Sequence, residues 1–108
     1  MDDERIREIF EGLGEVSIRK MFGGKGIYFD GLIVGVAFST GDILLKADKL
    51  SAPDFEAAGA RRWADGPNGR KVNMPYWSIP EAALDDPEEM ALWTRKAFEA
   101  AVRSQVDN

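Results

Sequence analysis

The chain has 108 residues, of which 44% are hydrophobic and 31% charged, a balance typical of one folded domain. It contains no cysteine, which excludes a disulfide framework and thiolate chemistry, and no histidine, which removes the commonest general base and zinc ligand. Its net charge of −5 argues against general affinity for nucleic acid, because neutralising phosphates requires a basic surface. We therefore expect a single domain over residues 1–108, with no catalytic residue, no metal and no cofactor.

The first half of the chain predicts one helix followed by a β-meander. A helix is expected near residues 3–12, where Ile6, Ile9 and Phe10 share one face. An extended stretch over 16–22, with a possible short extra strand near Arg19, leads to strands over 25–29, 32–38 and 43–47. The turns between them contain Gly23 and Gly24, then Asp30 and Gly31, then 39–42. The Asp-Gly pair is typical of a type I′ hairpin, which needs positive φ at both central residues.

The second half predicts two helices and two strands. Ser51 is the predicted N-cap of a helix over 51–58, and Asp86 is the predicted N-cap of a long helix over 87–103. A short strand is expected over 61–64 and a last one over 71–79, where Pro75 indicates an edge strand or a bulge. The apolar stripe along one side of the long helix is formed by Met90, Trp93, Ala97 and Ala101, and Leu92 and Phe98 broaden it.

These elements predict an α+β fold in two layers. We expect a mainly antiparallel five-stranded sheet with helices on one face, in the order α-β-β-β-α-β-β-α. The other face and the sheet edge are then free to dock a partner.

Several motifs have both a structural and a functional interpretation. The glycine run from Gly23 to Gly26 lacks phosphate-loop spacing and is interpreted as a turn needing positive φ. The adjacent Asp85 and Asp86 are explained by helix capping rather than by acid–base work. The aromatic residues Trp63, Tyr76 and Trp77 are expected mostly in the core, and a recognition pocket is the alternative.

The middle of the chain is mildly basic, since residues 12–80 carry nine bases and seven acids. Solvated sheet surface explains most of these bases, and a shared patch for an acidic partner is the sharper alternative. The bases on or beside predicted strands are Arg19, Lys20, Lys25, Lys46, Arg61, Arg62, Arg70 and Lys71.

Two runs of the sequence are similar to a known family. They are RKMFGGKGIYFDG from Arg19 to Gly31 and MPYW from Met74 to Trp77, followed by LDDP and then Trp93. Over roughly residues 10–102 the chain resembles the N-terminal domain of the TfoX (Sxy) family of bacterial competence regulators. Full-length members carry a second, C-terminal domain, which the resemblance does not include. The resemblance implies a two-layer α/β domain with an antiparallel sheet, linked to transcriptional regulation of DNA uptake and without an established enzymatic activity.

We therefore expect a non-enzymatic regulatory or adaptor module of the cytoplasm that binds a protein partner. The alternatives are a homodimer that uses the same surface, a module that contacts nucleic acid through the basic middle, and, least expected, a small enzyme using lysine, tyrosine and carboxylates. Neither membrane association nor direct nucleic-acid binding is expected. The predicted partner surface consists of Arg19, Lys20, Lys46, Lys71, Tyr76 and Trp77.

Overall fold

The structure is a computed structural model that describes residues 3–21, 23–63 and 74–106. These ranges contain four helices and five strands. The helices are α1 (Asp3–Ile9), α2 (Ala52–Ala57), α3 (Glu81–Leu84) and α4 (Pro87–Val106). The strands are β1 (Ser17–Met21), β2 (Gly24–Phe29), β3 (Leu32–Phe38), β4 (Ile43–Lys46) and β5 (Tyr76–Ser78).

The five strands form one antiparallel sheet in the order β1-β2-β3-β4-β5. Asp30 has φ 53° and Gly31 has φ 79°, so both central residues of the β2–β3 turn adopt the positive φ that a type I′ hairpin needs. The predicted α+β class and the five-stranded antiparallel sheet are confirmed.

The helices pack on one face of the sheet. The core of this layer joins Ile6 of α1, and Phe10 just after α1, with Phe55 of α2 and Trp93 of α4. Phe55 is fully buried, and its ring centroid lies 4.7 Å from that of Trp93 and 6.2 Å from that of Trp77. Since α4 crosses β3 and β4, the centre of the sheet is shielded on this side.

A β-bulge interrupts the pairing of β2 with β3. Ile27 lies opposite Gly35 and Tyr28 lies opposite Ile33, so Val34 is an extra residue between them. As a result, Val34 packs in the helix-covered core, whereas Val36, two residues later, packs on the opposite face.

The five strands are not all drawn from the predicted segments. Ser17–Met21 is a full strand, although only a possible short one was expected there. Residues 61–63 form only an isolated bridge, between Arg62 and Trp77. Of the predicted last strand, Tyr76–Ser78 is observed, and residues 71–73 lie outside the described residues. As Pro75 indicated, this is the last strand of the sheet.

Three local predictions need correction. Ser51 does not cap α2 with its side chain; its hydroxyl bonds back to Asp48, which accepts from the amides of Leu50 and Ser51 instead. Leu92 is 48% exposed and does not broaden the buried stripe of α4. Gly23 has φ 82°, but Gly24 does not have positive φ; a β-carbon at Gly24 would collide with the carbonyl oxygen of Ala37.

Candidate partner-binding face

The opposite side of the sheet carries a second apolar cluster, to which no helix of the described ranges contributes. Val36, Leu44 and Tyr76 are its buried members. Four half-buried residues pack against them: Ile33, Phe38, Trp63 and Met74. We call these seven residues, together with the neighbouring Arg19, Tyr28 and Lys46, the open face.

Aromatic rings shape one end of the open face. The Trp63 ring meets the Phe38 ring edge-on at 4.9 Å between centroids, and its centroid lies 6.2 Å from that of Tyr76. Beside them is a cavity of about 200 Å³, whose lining includes Met21, Val36 and Met74. A cavity of this size, lined mainly by apolar side chains, suits one large apolar side chain of a partner.

Two cations rest on tyrosine rings at separate places on the open face. The Arg19 guanidinium carbon lies 5.1 Å from the Tyr28 ring centroid, and Lys46 Nζ lies 5.4 Å from that of Tyr76. Burial lowers the pKa of Lys46 and raises the pKa of Tyr76, since removing either group from water disfavours its charged form. Lys46 is thus partly desolvated already, which reduces the cost of pairing it with an anion.

The charges of the sheet all have the same sign. The five strands carry Arg19, Lys20, Lys25 and Lys46, and no acidic residue. One of them, Lys25, makes an ion pair with Asp3 of α1 on the helix-covered side. The sheet is therefore a basic region within a protein of net charge −5.

The two edges of the sheet differ in how they are covered. Beyond β5 lies the segment 61–63: the Ser78 amide donates to the Arg61 carbonyl at 2.8 Å, and the Trp63 amide donates to the Tyr76 carbonyl at 2.9 Å. Strand β1 pairs only with β2 among the described strands, and four of its five residues are exposed. The accessible edge is thus β1, and not the last strand.

The structure divides the six residues of the predicted partner surface. Arg19, Lys46 and Tyr76 lie on the open face. Lys20 lies opposite Lys25 and on the helix-covered side of the sheet, although it is exposed at the edge. Trp77 is 7% exposed and packs in the helix-covered core, where it contacts Phe55. Lys71 lies outside the described residues.

Most apolar residues of the open face were not singled out from the sequence. The alternation in β3 marks Val36 and Phe38 as sharing a side, but the bulge at Val34 prevents a constant period from showing which side. Met21 is 45% exposed, and its sulfur approaches the side of Gly26 where Tyr28 lies, which also places it on the open face. A register derived from the Asp30-Gly31 turn and a bulge hypothesis together would have been needed to find this face.

A larger cleft of about 670 Å³ lies beside α2 and has a mixed lining that includes Lys49, Glu56, Arg62 and Trp77. Asp48 at its margin accepts two hydrogen bonds from Arg103 of α4, the longer at 3.0 Å. These bonds lower the pKa of Asp48 from 3.8 to about 2. The ion pair fastens the β4–α2 connection to α4, which gives Asp48 a structural role.

The described part of the chain contains no group of three or more acidic, histidine or cysteine side chains arranged to hold a metal ion. None of the helices within it is long and apolar enough to cross a membrane. The described residues thus form a small two-layer α+β domain with an apolar sheet face and a basic edge.

The sequence assigns this two-layer domain to a known family. The sequence profile of the TfoX N-terminal domain matches residues 8–101, so the chain belongs to that family. Membership relates the chain to a family of regulatory, competence-related modules, and the matched range contains the whole sheet. No curated protein matches the chain significantly.

Proposed function

We propose that this domain is a non-enzymatic regulatory module of the cytoplasm that binds a protein partner through the open face, in the control of transcription or competence. The observation that carries the proposal is the apolar cluster around Val36, Leu44 and Tyr76, which no described helix covers. Its outer members are half-buried and leave part of the apolar cluster at the surface: Ile33, Phe38, Trp63 and Met74. Contiguous apolar surface with a polar margin is typical of protein–protein contact sites.

The chemistry of the open face favours a protein that presents acidic residues around an apolar anchor. Aromatic side chains and arginine supply much of the binding energy at protein interfaces. Here Tyr76 and Trp63 border the 200 Å³ cavity, and Arg19 and Lys46 supply positive charge. An acidic partner would also be steered toward the basic sheet and away from the acidic helices.

The test is affinity isolation from native cells with a matched pair of variants. One variant carries Arg19→Glu and Lys46→Gln on the open face. The control carries Arg95→Glu in α4 and Lys49→Gln before α2, which make the same charge changes at exposed positions outside that face. Thermal unfolding of both variants shows whether each remains folded.

We expect the wild type and the control to retain the same partner after nuclease treatment, and the open-face variant to lose it. Binding should weaken as salt is raised, because the two cations act at a partly exposed surface. Equal retention by all three proteins would overturn the open face as the binding site.

Contact with nucleic acid is the second candidate, because strand cations beside aromatic rings also occur where single strands stack on a sheet. The tyrosine rings of the open face already pack against Arg19 and Lys46, and the protein is acidic as a whole, so we rank this candidate lower. Fluorescence titration with random single-stranded DNA at physiological salt distinguishes the two candidates. Tight, salt-sensitive binding would favour nucleic-acid contact over the protein-partner proposal.

A further inference from the structure

The free edge of the sheet deepens this proposal. In an antiparallel ladder, alternate residues direct their backbone N–H and C=O groups toward each neighbour. Among the described strands, β1 has a paired neighbour only on the β2 side, so on its other side every second residue directs a donor and an acceptor away from the described sheet. The strand contains no proline, and its exposed residues leave this edge accessible.

The side chains of β1 define what could pair with it. Arg19 projects on the open face, and Lys20 projects on the other side, with Ile18 and Met21 flanking the two cations. Residues directly opposite each other in a ladder have their side chains on the same face and interact, and opposite charges are stabilising. A strand that continues the sheet would therefore need an acid opposite each cation.

We propose that the partner contributes an extended segment that adds to β1 as a sixth strand, with two adjacent acidic residues between two apolar residues. The acids pair with Arg19 and Lys20, and the apolar residues lie beside Ile18 and Met21. Because the pattern is symmetric, it fits either strand direction. This inference rests on the proposed function, since it specifies how the partner is bound.

A second copy of this chain is a poorer occupant of the same edge. Antiparallel pairing of β1 with β1 about Arg19 would place the two Arg19 side chains opposite each other, with the two Lys20 side chains nearby. Like charges directly opposite in a ladder are destabilising. Charge complementarity therefore selects an acidic segment over self-association.

The probe is a library of random twelve-residue peptides displayed on phage and selected against the intact protein. We expect enrichment of peptides with an acidic pair between apolar residues.

Hydrogen exchange of β1 amides should slow in the presence of an enriched peptide. A variant with Arg19→Glu and Lys20→Glu should instead enrich basic peptides. Enrichment without acidic residues, protection away from β1, or no enrichment would each overturn the proposal, the last because charged edges can serve only to prevent aggregation.

Two single variants separate this inference from docking on the open face. Lys20→Glu changes the edge but not the open face, so it should weaken the enriched peptides about fivefold, as a change of ~1 kcal/mol does. Lys46→Gln changes the open face but not β1, so it should leave these peptides unaffected while it reduces retention of the cellular partner. If Lys46→Gln loses the cellular partner and Lys20→Glu retains it, strand addition to β1 is rejected and docking on the open face is kept.

Discussion

Leu44 and Leu45 are neighbours in β4, yet they belong to different layers of the molecule. Leu45 is fully buried beneath the helices, whereas Leu44 is 9% exposed in the cluster of the open face. The helix-covered side is closed by residues of all four helices, whereas among the described residues no helix covers the open face. The same strands thus build a structural core on one side and an available surface on the other.

The largest expected effect tests this difference directly. Leu45→Ala should lower the free energy of unfolding by about 3 kcal/mol, because the packed helices cannot collapse fully into the cavity. Leu44→Ala should cost about half as much, because solvent and neighbouring side chains can fill the space on a face that no described helix covers. Urea denaturation of both variants measures the comparison, and equal losses would mean that the open face is as closed as the core.

Two glycines provide a second matched pair. A β-carbon at Gly35 would lie 2.6 Å from the Leu44 carbonyl oxygen and 3.2 Å from the Phe10 ring, on the covered side. At Gly26 it would lie 2.7 Å from the Met21 sulfur and 2.9 Å from the Tyr28 ring, on the open face.

Gly35→Ala should therefore cost about 2 kcal/mol through overpacking, since backbone and a buried ring must move. Gly26→Ala should cost less, about 1 kcal/mol, since the exposed Met21 side chain can turn away and the Tyr28 ring that must also shift is only half-buried. The two changes are compared by thermal unfolding monitored by circular dichroism. A larger loss for Gly26→Ala would contradict the picture of an adaptable open face.

The attachment of the helix layer depends in part on Asp48. Its pKa of about 2 in the folded protein lies below its ordinary 3.8, so its charge stabilises the fold above about pH 4, and that contribution is lost as pH falls toward 2. Asp48→Asn should cost about 1.5 kcal/mol at pH 7 through the weakened bonds to Arg103, and the difference from wild type should shrink between pH 4 and pH 2.

Asp54→Asn is the control for this pH effect. Asp54 accepts a hydrogen bond from Lys96 at 3.0 Å, but its side chain is 53% exposed, and exposed ion pairs contribute little. Its replacement should change stability by less than ~0.5 kcal/mol. Urea midpoints across the pH series would contradict the assignment if Asp48→Asn kept a constant deficit down to pH 2.

Features that depend on neighbouring residues were predictable from the sequence. The Asp30-Gly31 turn needs only positive φ at two positions, and Asp86 needs only a helix that begins at the following proline; both are observed. These local rules were sufficient for the fold class, whereas the family resemblance rested on the runs from Arg19 to Gly31 and from Met74 to Trp77, followed by LDDP and Trp93.

Features that depend on long-range register were not predictable. Alternation along a strand places Tyr76 and Trp77 on opposite faces, but only the packing of α2 and α4 decides that Trp77 lies on the helix-covered side. Ser51 has the composition of an N-cap, but its hydroxyl accepts from the Asp48 amide and donates to the Asp48 carboxylate instead. That carboxylate is held in place by Arg103, 55 residues away. The sequence therefore predicts only part of the candidate site, since it is the pairing of the strands that places Arg19, Lys46 and Tyr76 on one face.

The smallest expected effect concerns the start of α4, the helix that covers the middle of the sheet. Asp86 Oδ1 accepts from the Glu88 amide at 3.0 Å and, more weakly, from the Glu89 amide at 3.4 Å. Asp86→Ala should cost about 1 kcal/mol through loss of these bonds and of a negative charge near the helix N-terminus. The adjacent Asp85→Ala removes a similar charge but no bond to these amides, so it should cost less than half as much. Chemical denaturation distinguishes the two variants, and an equal loss would show that charge alone, without the capping bonds, stabilises the helix over the covered face.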